Sequence, residues 1–358
     1  MISYYLIYRP PSIKMSDTQT NKRFRKYGSI LNADSFDGRE IIEAYGELEA
    51  VAMEKAHGAH FAFVTDGTSV YCAKRTSILT PEDKFYDHQG VLARFEDRIR
   101  EVWSIVQSDV PDLTHLQVEG ELIGGLYSHP DVEKIDGPHV QRGVHYSPNY
   151  EFYAYDIYYE IQSEGSDKMD EYLNYDRVCH IFETVGLLYA KPVARGTFAA
   201  LCNYDNAFES VIPAELGLPE IKNNIVEGIV IKPVDHYITP RGSRIILKSK
   251  NSKFQETQKP KKSKNKPSAA SQIDPDVAAA LDSMVTAARL DNVVSKIGEV
   301  SMSDFGTMMK DLNQDILKDF PTDYPEIHAG IEKKDWSTIK KYLNRRCSAL
   351  IKGYFATH

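Results

Sequence analysis

The chain has 358 residues, of which 26% are charged and 42% are hydrophobic, and its formal net charge is −8. This length allows two domains, and the apolar fraction is typical of a globular protein. The negative charge excludes a protein that binds nucleic acid through overall basicity, although a local basic patch could still bind it. No apolar run reaches the roughly 20 residues of a membrane helix, so we expect no membrane association.

The four cysteines are scattered along the chain without a CxxC pair. This pattern argues against a zinc knuckle and against a disulfide framework, and we interpret the cysteines as reduced thiols of an intracellular protein. Near the N-terminus, Pro10 and Pro11 interrupt a short apolar stretch that no basic residue precedes, which argues against a signal peptide. We expect residues 1–25 to form a flexible N-terminal extension.

Strand and helix patterns are mixed from residue 26 to residue 257. The range 49–53 predicts a strand, and two apolar runs on either side of Asp66 and Gly67 predict a hairpin, whose two turn positions would both need positive φ. Apolar residues recur every three or four positions from Val91 to Val106 and predict a helix that packs on the core. Further strands are predicted over 152–161, 228–233 and 244–248. Because strands and helices do not alternate regularly, the sequence predicts an α+β domain with antiparallel sheets.

The composition changes after this region. The range 258–270 is rich in lysine and proline and predicts a flexible, positively charged linker. Beyond it, Asp274 and Pro275 predict the start of a helix that ends at Gly298. Two more helices are predicted over 303–318 and from Trp336 to Leu350, so we expect a small all-α domain over residues 271–358.

Lys55 is the candidate nucleophile. It belongs to the short pattern Glu54-Lys55-Ala56-His57-Gly58, which follows a predicted strand and would place the lysine at the mouth of a sheet. A lysine is usually a solvated surface residue, so the pattern alone is weak. Other residues that could take part in the same chemistry strengthen the interpretation of Lys55 as a nucleophile. Glu227 and Lys232 bracket a buried strand, and Lys248 and Lys250 share one face of another, since side chains on a strand alternate. Paired lysines that face a cleft suit triphosphate binding.

In this order, these segments resemble the motifs of the covalent nucleotidyltransferase superfamily, which includes polynucleotide ligases and capping enzymes. Lys55-Ala56-His57-Gly58, Cys72–Thr76, Phe152–Ile157, Glu227–Pro233 and Lys248–Phe254 resemble the RNA ligase 2 family in particular. The stretch 290–298, followed by 304–306, resembles the helical C-terminal domain of that family. The resemblance covers nearly everything after residue 26 and implies an antiparallel-sheet, ATP-grasp-like ligase adenylation domain followed by the helical domain.

The resemblance also implies a mechanism, in which an ATP-dependent RNA ligase joins a 3′-hydroxyl to a 5′-phosphate, most often at a nick in duplex RNA, through lysyl-AMP and an adenylylated RNA end. By resemblance, Tyr155 stacks on adenine, Glu121 binds ribose, and Arg75 contacts ribose or the RNA end. Lys232, Lys248 and Lys250 hold phosphates, Glu227 helps to position Mg²⁺ or Mn²⁺, and His57 acts after adenylylation. The backbone of Glu54 and Ala56 would contact the adenine edge. The expected partner is RNA, bound without sequence preference by a monomer.

One residue departs from the family pattern. His60 stands where the family often has asparagine. If that asparagine contacts AMP or a metal-bound water, either His60 takes over the contact or this role is lost. Two other interpretations stay open. A DNA ligase or capping enzyme usually carries an OB-fold after the last lysine motif, where this chain has a helical pattern. A non-catalytic nucleic-acid-binding protein with a degenerate nucleotide pocket is the alternative from another class.

Overall fold

The structure is a computed structural model that describes residues 23–135, 137–162, 169–254 and 273–357. The strands of this part of the chain are β1 (Leu31–Asn32), β2 (Glu49–Glu54), β3 (Ala59–Thr65), β4 (Val70–Lys74), β5 (Ser77–Ile78), β6 (Leu113–Gly124), β7 (Tyr150–Ile161), β8 (Met169–Tyr172), β9 (Pro192–Thr197), β10 (Gly228–Pro233) and β11 (Leu247–Lys250). They form two sheets with the orders β1-β11-β10-β2-β9 and β5-β4-β3-β6-β7-β8. All neighbouring strands are antiparallel except β1 and β11.

The helices lie partly on the outer faces of these sheets and partly in a separate C-terminal unit. They are α1 (Phe36–Tyr45), α2 (His88–Asp109), α3 (Tyr175–Thr184), α4 (Phe198–Leu201), α5 (Ile212–Glu215), α6 (Pro275–Met284), α7 (Ala287–Ile297), α8 (Phe305–Asp323), α9 (Pro325–Ala329) and α10 (Trp336–Thr357). The prediction of an α+β fold with antiparallel sheets and a helical C-terminal region is confirmed. No helix of the described residues is long and apolar enough to cross a membrane.

Alternation along the strands sorts the apolar residues into separate cores. In β2, Ala50 and Ala52 pack outward against α1 and α4, whereas Val51 and Met53 pack inward between the sheets. In β3, Phe61 and Phe63 face the core that lies under α2. Because side chains on a strand alternate, His60, which precedes Phe61, faces the interior between the two sheets. The same rule places Glu119 and Glu121 of β6 on that inner face, since Val118 and Leu122 belong to the outer core.

The helical region has a core of its own. Leu281, Leu290, Leu312 and Leu343 belong to one buried cluster whose members all come from residues 273–355. This region touches the sheets through a few contacts, such as the hydrogen bond from Gln141 Nε2 to the carbonyl of Asp291, at 3.0 Å. The two parts of the described chain therefore bury their apolar surface separately.

Several local predictions need correction. The hairpin between β3 and β4 has a four-residue turn in which Gly67 alone has positive φ, because Asp66 instead accepts hydrogen bonds from the amides of Thr68 and Ser69. The helix that was predicted from Pro275 to Gly298 is two helices. Thr286 adopts an extended conformation between them and its side chain caps α7.

Two further differences concern element boundaries. β11 begins at Leu247 rather than at Arg244, because Arg244 pairs with Ile238 in a separate bridge and its side chain turns inward. Arg25, which was predicted to be part of a flexible extension, exchanges two hydrogen bonds with Gln117 of β6. The predicted linker over 258–270 and residues 1–22 lie outside the described residues.

Candidate active site

Lys55 lies immediately after β2, between the two sheets. Its amide donates to the carbonyl of Gly228 at 2.9 Å, which extends the pairing of β2 with β10 by one residue. Its ammonium donates to Glu227 Oε2 at 2.6 Å, and 20% of the side chain is exposed. The lysine is thus held in place by its backbone and its side chain, yet it remains accessible from solvent.

Glu227 is the centre of the site. Its second oxygen, Oε1, lies 2.9 Å from the ammonium of Lys250, and His57 Nδ1 lies 3.3 Å from Oε2. Burial alone would raise the pKa of Glu227, but the charges of Lys55 and Lys250 and the hydrogen bond from His57 hold it well below its usual value. The carboxylate is therefore ionised at neutral pH and collects three candidate catalytic side chains around it.

His57 is held from two further sides. Its ring packs edge-on against Phe254, with 5.0 Å between the ring centroids. Its backbone amide donates to the hydroxyl of Tyr146 at 2.8 Å. Sequence reasoning did not identify Tyr146, because nothing in the local sequence relates residue 146 to residue 57.

The inner face of the six-stranded sheet forms the second wall of the site. His60 and Glu121 are direct partners in the register of β3 and β6. His60 Nε2 lies 3.2 Å from Glu119 Oε2, and both side chains are buried. Burial raises the pKa of Glu121, while the charges of Lys55, His60 and Arg75 counteract that rise. Arg75 has no hydrogen-bond or ion-pair partner among the residues that the structure describes, so its guanidinium can bind an incoming anion.

Tyr155 lies in a cluster that sequence reasoning missed. Its ring meets that of Tyr27 at 5.4 Å, edge to face. Tyr27 donates its hydroxyl proton to Asp156 at 2.7 Å, and Arg244 donates to the same oxygen at 2.9 Å. Tyr27 comes from the segment before β1, more than 120 positions from its partners, so no sequence spacing could have linked them.

Lys232 belongs to the same cluster. Its ammonium lies 2.5 Å from Asp156 Oδ1 and 3.1 Å from the carbonyl of Tyr155. Burial would raise the pKa of Asp156, but Arg244 and Lys232 together lower it well below its usual value. The predicted phosphate ligand Lys232 is therefore already paired with a carboxylate in this structure.

The remaining predicted residues surround the nucleophile less directly. Glu54 turns away from Lys55, and its carboxylate accepts hydrogen bonds from Ser210 Oγ at 2.7 Å and from the amide of Val211 at 2.9 Å. Ala56 is buried between the sheets. Lys248 and Lys250 occupy the same face of β11, opposite the fully buried Leu247, as the alternation predicts. The described residues contain no cluster of three or more His, Cys, Asp or Glu side chains that could hold a metal ion.

Comparison with known families gives two matches that together span most of the chain. The family described as RNA ligase matches residues 48–250, and the family described as T4 RNA ligase 2 C-terminal matches residues 268–349. The first match includes the Lys55, Glu227 and Lys250 cluster, and the second covers most of the helical region.

Two RNA-editing ligases are also similar to this chain in sequence. The chain is 30% identical over 332 residues to mitochondrial RNA-editing ligase 1 of Trypanosoma brucei brucei, which covers 76% of this chain and 70% of that protein. It is 31% identical over 235 residues to mitochondrial RNA-editing ligase 2 of the same organism, with 58% of this chain and 55% of that protein covered. A solved structure of a Naegleria gruberi RNA ligase mutant with ATP and Mn is 14% identical, with a TM-score of 0.41. That match covers 63% of this chain, which spans only 56% of the solved chain.

Proposed function

We propose how this chain, which belongs to the RNA ligase family and is an ATP-dependent RNA ligase, carries out its reaction. It seals 3′-hydroxyl and 5′-phosphate RNA ends through a lysyl-AMP intermediate on Lys55. One observation carries this proposal. The ammonium of Lys55 is oriented by Glu227 at 2.6 Å, and Lys250 pairs with the other oxygen of Glu227 at 2.9 Å. Glu121 of the facing sheet feels the charges of Lys55 and Arg75, so these groups lie within electrostatic reach of one another.

In the first step, the amine of Lys55 attacks the α-phosphorus of ATP. A nitrogen–phosphorus bond forms, the bond to the bridging oxygen breaks, and pyrophosphate leaves with the electron pair. The Lys55 ammonium first releases a proton to solvent, to which 20% of its side chain is exposed, and the nitrogen releases a second proton to solvent as the phosphoramidate forms. Glu227 orients the amine for attack in line with the leaving group. Lys250 and Arg75 offer positive charge to the phosphate oxygens as negative charge develops on them.

Adenylylation changes the charge around Glu227. Once Lys55 carries AMP, its nitrogen is no longer a cation, and Glu227 Oε2 loses the ion pair at 2.6 Å. His57, 3.3 Å from the same oxygen, then becomes the main partner of Oε2. This exchange supports a role for His57 after the first step, when AMP passes to the 5′-phosphate of RNA and the 3′-hydroxyl displaces AMP.

The carboxylates of the site fit a Mg²⁺ or Mn²⁺ ion that is bound largely by ATP phosphates and water. Such ions prefer oxygen ligands and often take only one or two carboxylates from the protein. Glu121 has hard oxygen donors on the inner sheet face, and Glu227 could contribute one oxygen after Lys55 is adenylylated. When bound, the cation would neutralise the phosphates and favour loss of the proton from Lys55.

Tyr155, Glu121 and the backbone beside Lys55 are the proposed nucleotide contacts. Tyr155 offers an aromatic face that Tyr27 supports from one side, and stacking on a purine needs such a rigid face. The preferred substrate is proposed to be a nick in duplex RNA, bound by a monomer mainly through phosphate contacts, with an affinity that falls as salt concentration rises.

Labelling with ATP tests the central claim. The protein is incubated with α-³²P-labelled ATP and either Mg²⁺ or Mn²⁺, and label that survives denaturation is measured. We expect stable label on the wild-type protein and none on Lys55→Ala, whereas Lys334→Ala, at an exposed ion pair with Glu332, serves as the control and should label normally. Sealing of nicked RNA and nicked DNA duplexes is measured in parallel. Undiminished label on Lys55→Ala would overturn the proposal. Sealing of nicked DNA but not of nicked RNA would show that DNA is the substrate.

A further inference from the structure

Tyr146 is a buried tyrosine whose hydroxyl meets the backbone of the nucleophile segment. Its exposure is 2%, and its oxygen accepts a hydrogen bond from the amide of His57 at 2.8 Å. Residues 55–58 connect β2 to β3 and lie outside both strands, although the Lys55 amide still donates to the carbonyl of Gly228. A buried amide needs a partner, and the hydroxyl of Tyr146 supplies one for His57.

The segment that carries Tyr146 is fixed at several points. His145 and Asn224 exchange two hydrogen bonds of 2.7 Å between the backbone of the first and the side-chain amide of the second. Lys253 Nζ donates to the carbonyl of Gly143 at 3.1 Å, which ties the segment to the residue next to Phe254. Val144 and Phe254 belong to the same buried cluster as Tyr146. These contacts fix the segment that carries the hydroxyl, and the hydrogen bonds among them involve neither Lys55 nor Glu227.

Three contacts therefore define where His57 lies. Glu227 binds its Nδ1, Phe254 packs against its ring, and Tyr146 binds its amide. The first two act on the side chain, whereas the third acts on the backbone and so sets the position from which the ring projects. Burial, together with the charge of Glu54, keeps the pKa of the Tyr146 phenol well above its ordinary value, so the hydroxyl stays neutral throughout the pH range of a ligase assay.

We propose that Tyr146 is a positioning residue that holds His57 for transfer of AMP from Lys55 to the RNA 5′-phosphate. The inference rests on the proposed function, since it needs a lysyl-AMP intermediate to act on. Tyr146 does not touch the reacting atoms, and its effect on the reaction passes through His57. Removing the hydroxyl should leave formation of lysyl-AMP largely intact and slow the step that follows.

Single-turnover kinetics of the full-length protein test this separation. For Tyr146→Phe we expect lysyl-AMP formation within about threefold of wild type, and AMP transfer to nicked RNA slower by about tenfold, as expected when one buried amide loses its partner. The decisive comparison is a double-mutant cycle with His57→Ala. If Tyr146 acts through His57, then Tyr146→Phe has no further effect on AMP transfer in the His57→Ala background.

Tyr150→Phe is the matched control. It removes a hydroxyl that donates to Pro138 on the same segment at 2.6 Å, and it should leave both steps unchanged. Multiplicative losses in the cycle, or equal losses in both steps, would assign Tyr146 a purely structural role and overturn the inference.

Hydrogen exchange at the His57 amide of the wild-type protein tests the hydrogen bond without any variant, because fast exchange would contradict that bond. A wild-type protein that forms no lysyl-AMP would overturn the proposed function as well, whereas an active wild type with an unaffected Tyr146→Phe would overturn this inference alone.

Discussion

Glu227 links the nucleophile to the residues that surround it. It binds Lys55 and Lys250 through different oxygens and also lies within 3.3 Å of His57. Removing a buried carboxylate that pairs with two cations would leave both ammonium groups without compensation, so substitutions at this position combine a catalytic and a structural effect. Residues at the edge of this network give cleaner tests, because each changes one interaction.

Glu54 makes stability depend on pH. Burial raises its pKa to about 7, although hydrogen bonds from Ser210 and Val211 counteract part of the rise. An unfolded glutamate ionises near pH 4.3, so between that pH and about 7 the folded state holds a proton that the unfolded state has lost. The free energy of unfolding therefore falls as the pH rises through this range, by on the order of 3 kcal/mol from this residue.

Glu54→Gln should remove that contribution, because the amide oxygen can accept from the Val211 amide and the amide nitrogen can donate to Ser210 Oγ. Urea unfolding at pH 5 and pH 8 measures the effect, and the variant should lose less stability between the two than the wild type does. Glu47→Gln, at an exposed position, should follow the wild type. Parallel pH profiles for Glu54→Gln and wild type would contradict the prediction.

His60 allows a test of the departure from the family pattern. Its imidazole faces the buried Glu119 at 3.2 Å and packs beside Tyr27, with 5.6 Å between the ring centroids. His60→Asn restores the family residue and keeps a polar group toward Glu119, so we expect lysyl-AMP formation within about threefold of wild type. His60→Ala leaves the buried carboxylate without that group and should cost about 1–3 kcal/mol of stability. Equal losses of label in the two variants, measured by ATP labelling, would show that the imidazole itself is required.

Much of the site could be predicted from the sequence, for a physical reason. Lys55 and Glu227 lie directly beside strand ends, and Lys250 lies on the face of β11 opposite the buried Leu247, so their positions follow from the strand boundaries and from alternation along β11. The cluster of Tyr27, Asp156 and Arg244 could not be predicted in this way. Its members belong to three distant segments that only tertiary packing brings together, and Arg244 leaves the strand pattern to reach Asp156.

At the scale of elements, β10 connects the site to the rest of its sheet. Glu227 immediately precedes this strand, and the carbonyl of Gly228 accepts the hydrogen bond from the Lys55 amide. Gly228 has a φ of +153°, and a Cβ placed there would lie 2.1 Å from the carbonyl oxygen of Ser249 in β11. A side chain at this position would thus push apart the two strands that carry Glu227 and Lys250.

Gly228→Ala should therefore slow lysyl-AMP formation at least about tenfold and destabilise the fold by on the order of 1–3 kcal/mol, since the backbone cannot move cheaply. ATP labelling and urea unfolding measure the two effects. Gly196→Ala, in β9 of the same sheet, adds a methyl group that meets only Leu201 at ordinary contact distance, and it should change neither. Wild-type labelling by Gly228→Ala would show that the spacing of β10 and β11 does not control the site.

The regular elements were easier to predict than the connections between them. The range predicted for β10 agrees with the structure, and the apolar stripe of α2 is buried. In these elements apolar residues recur at a regular spacing over many positions, because one face of the element is buried. The turn at Asp66 and the break at Thr286 depend instead on one side chain that competes for backbone amides. Such local hydrogen bonds outweigh propensity at element ends.

At the scale of the whole molecule, the two separate cores favour different roles for the sheet region and the helical region. Lys55, Glu227 and Lys250 all precede residue 254, and the helical region contributes none of the side chains that contact Lys55 among the described residues. Its contact with the sheet region includes Gln141 with Asp291 and Gly298 close to Phe85. We therefore propose that this region, which is folded around its own core, holds the RNA rather than the nucleotide.

A chain that ends at Phe254 tests this division, since it retains the ring that packs against His57. We expect it to stay folded and to form lysyl-AMP within about threefold of the full-length protein, because its hydrophobic clusters contain no residue of the helical region. Sealing of nicked RNA should fall by on the order of 100-fold, since the second binding unit no longer raises the local concentration of substrate. Sealing is compared at low and high salt, and the defect should be larger at high salt, where the remaining phosphate contacts weaken. Full sealing by the shortened chain would place all RNA binding on the sheet region, whereas loss of lysyl-AMP would mean that the helical region supports the first step as well.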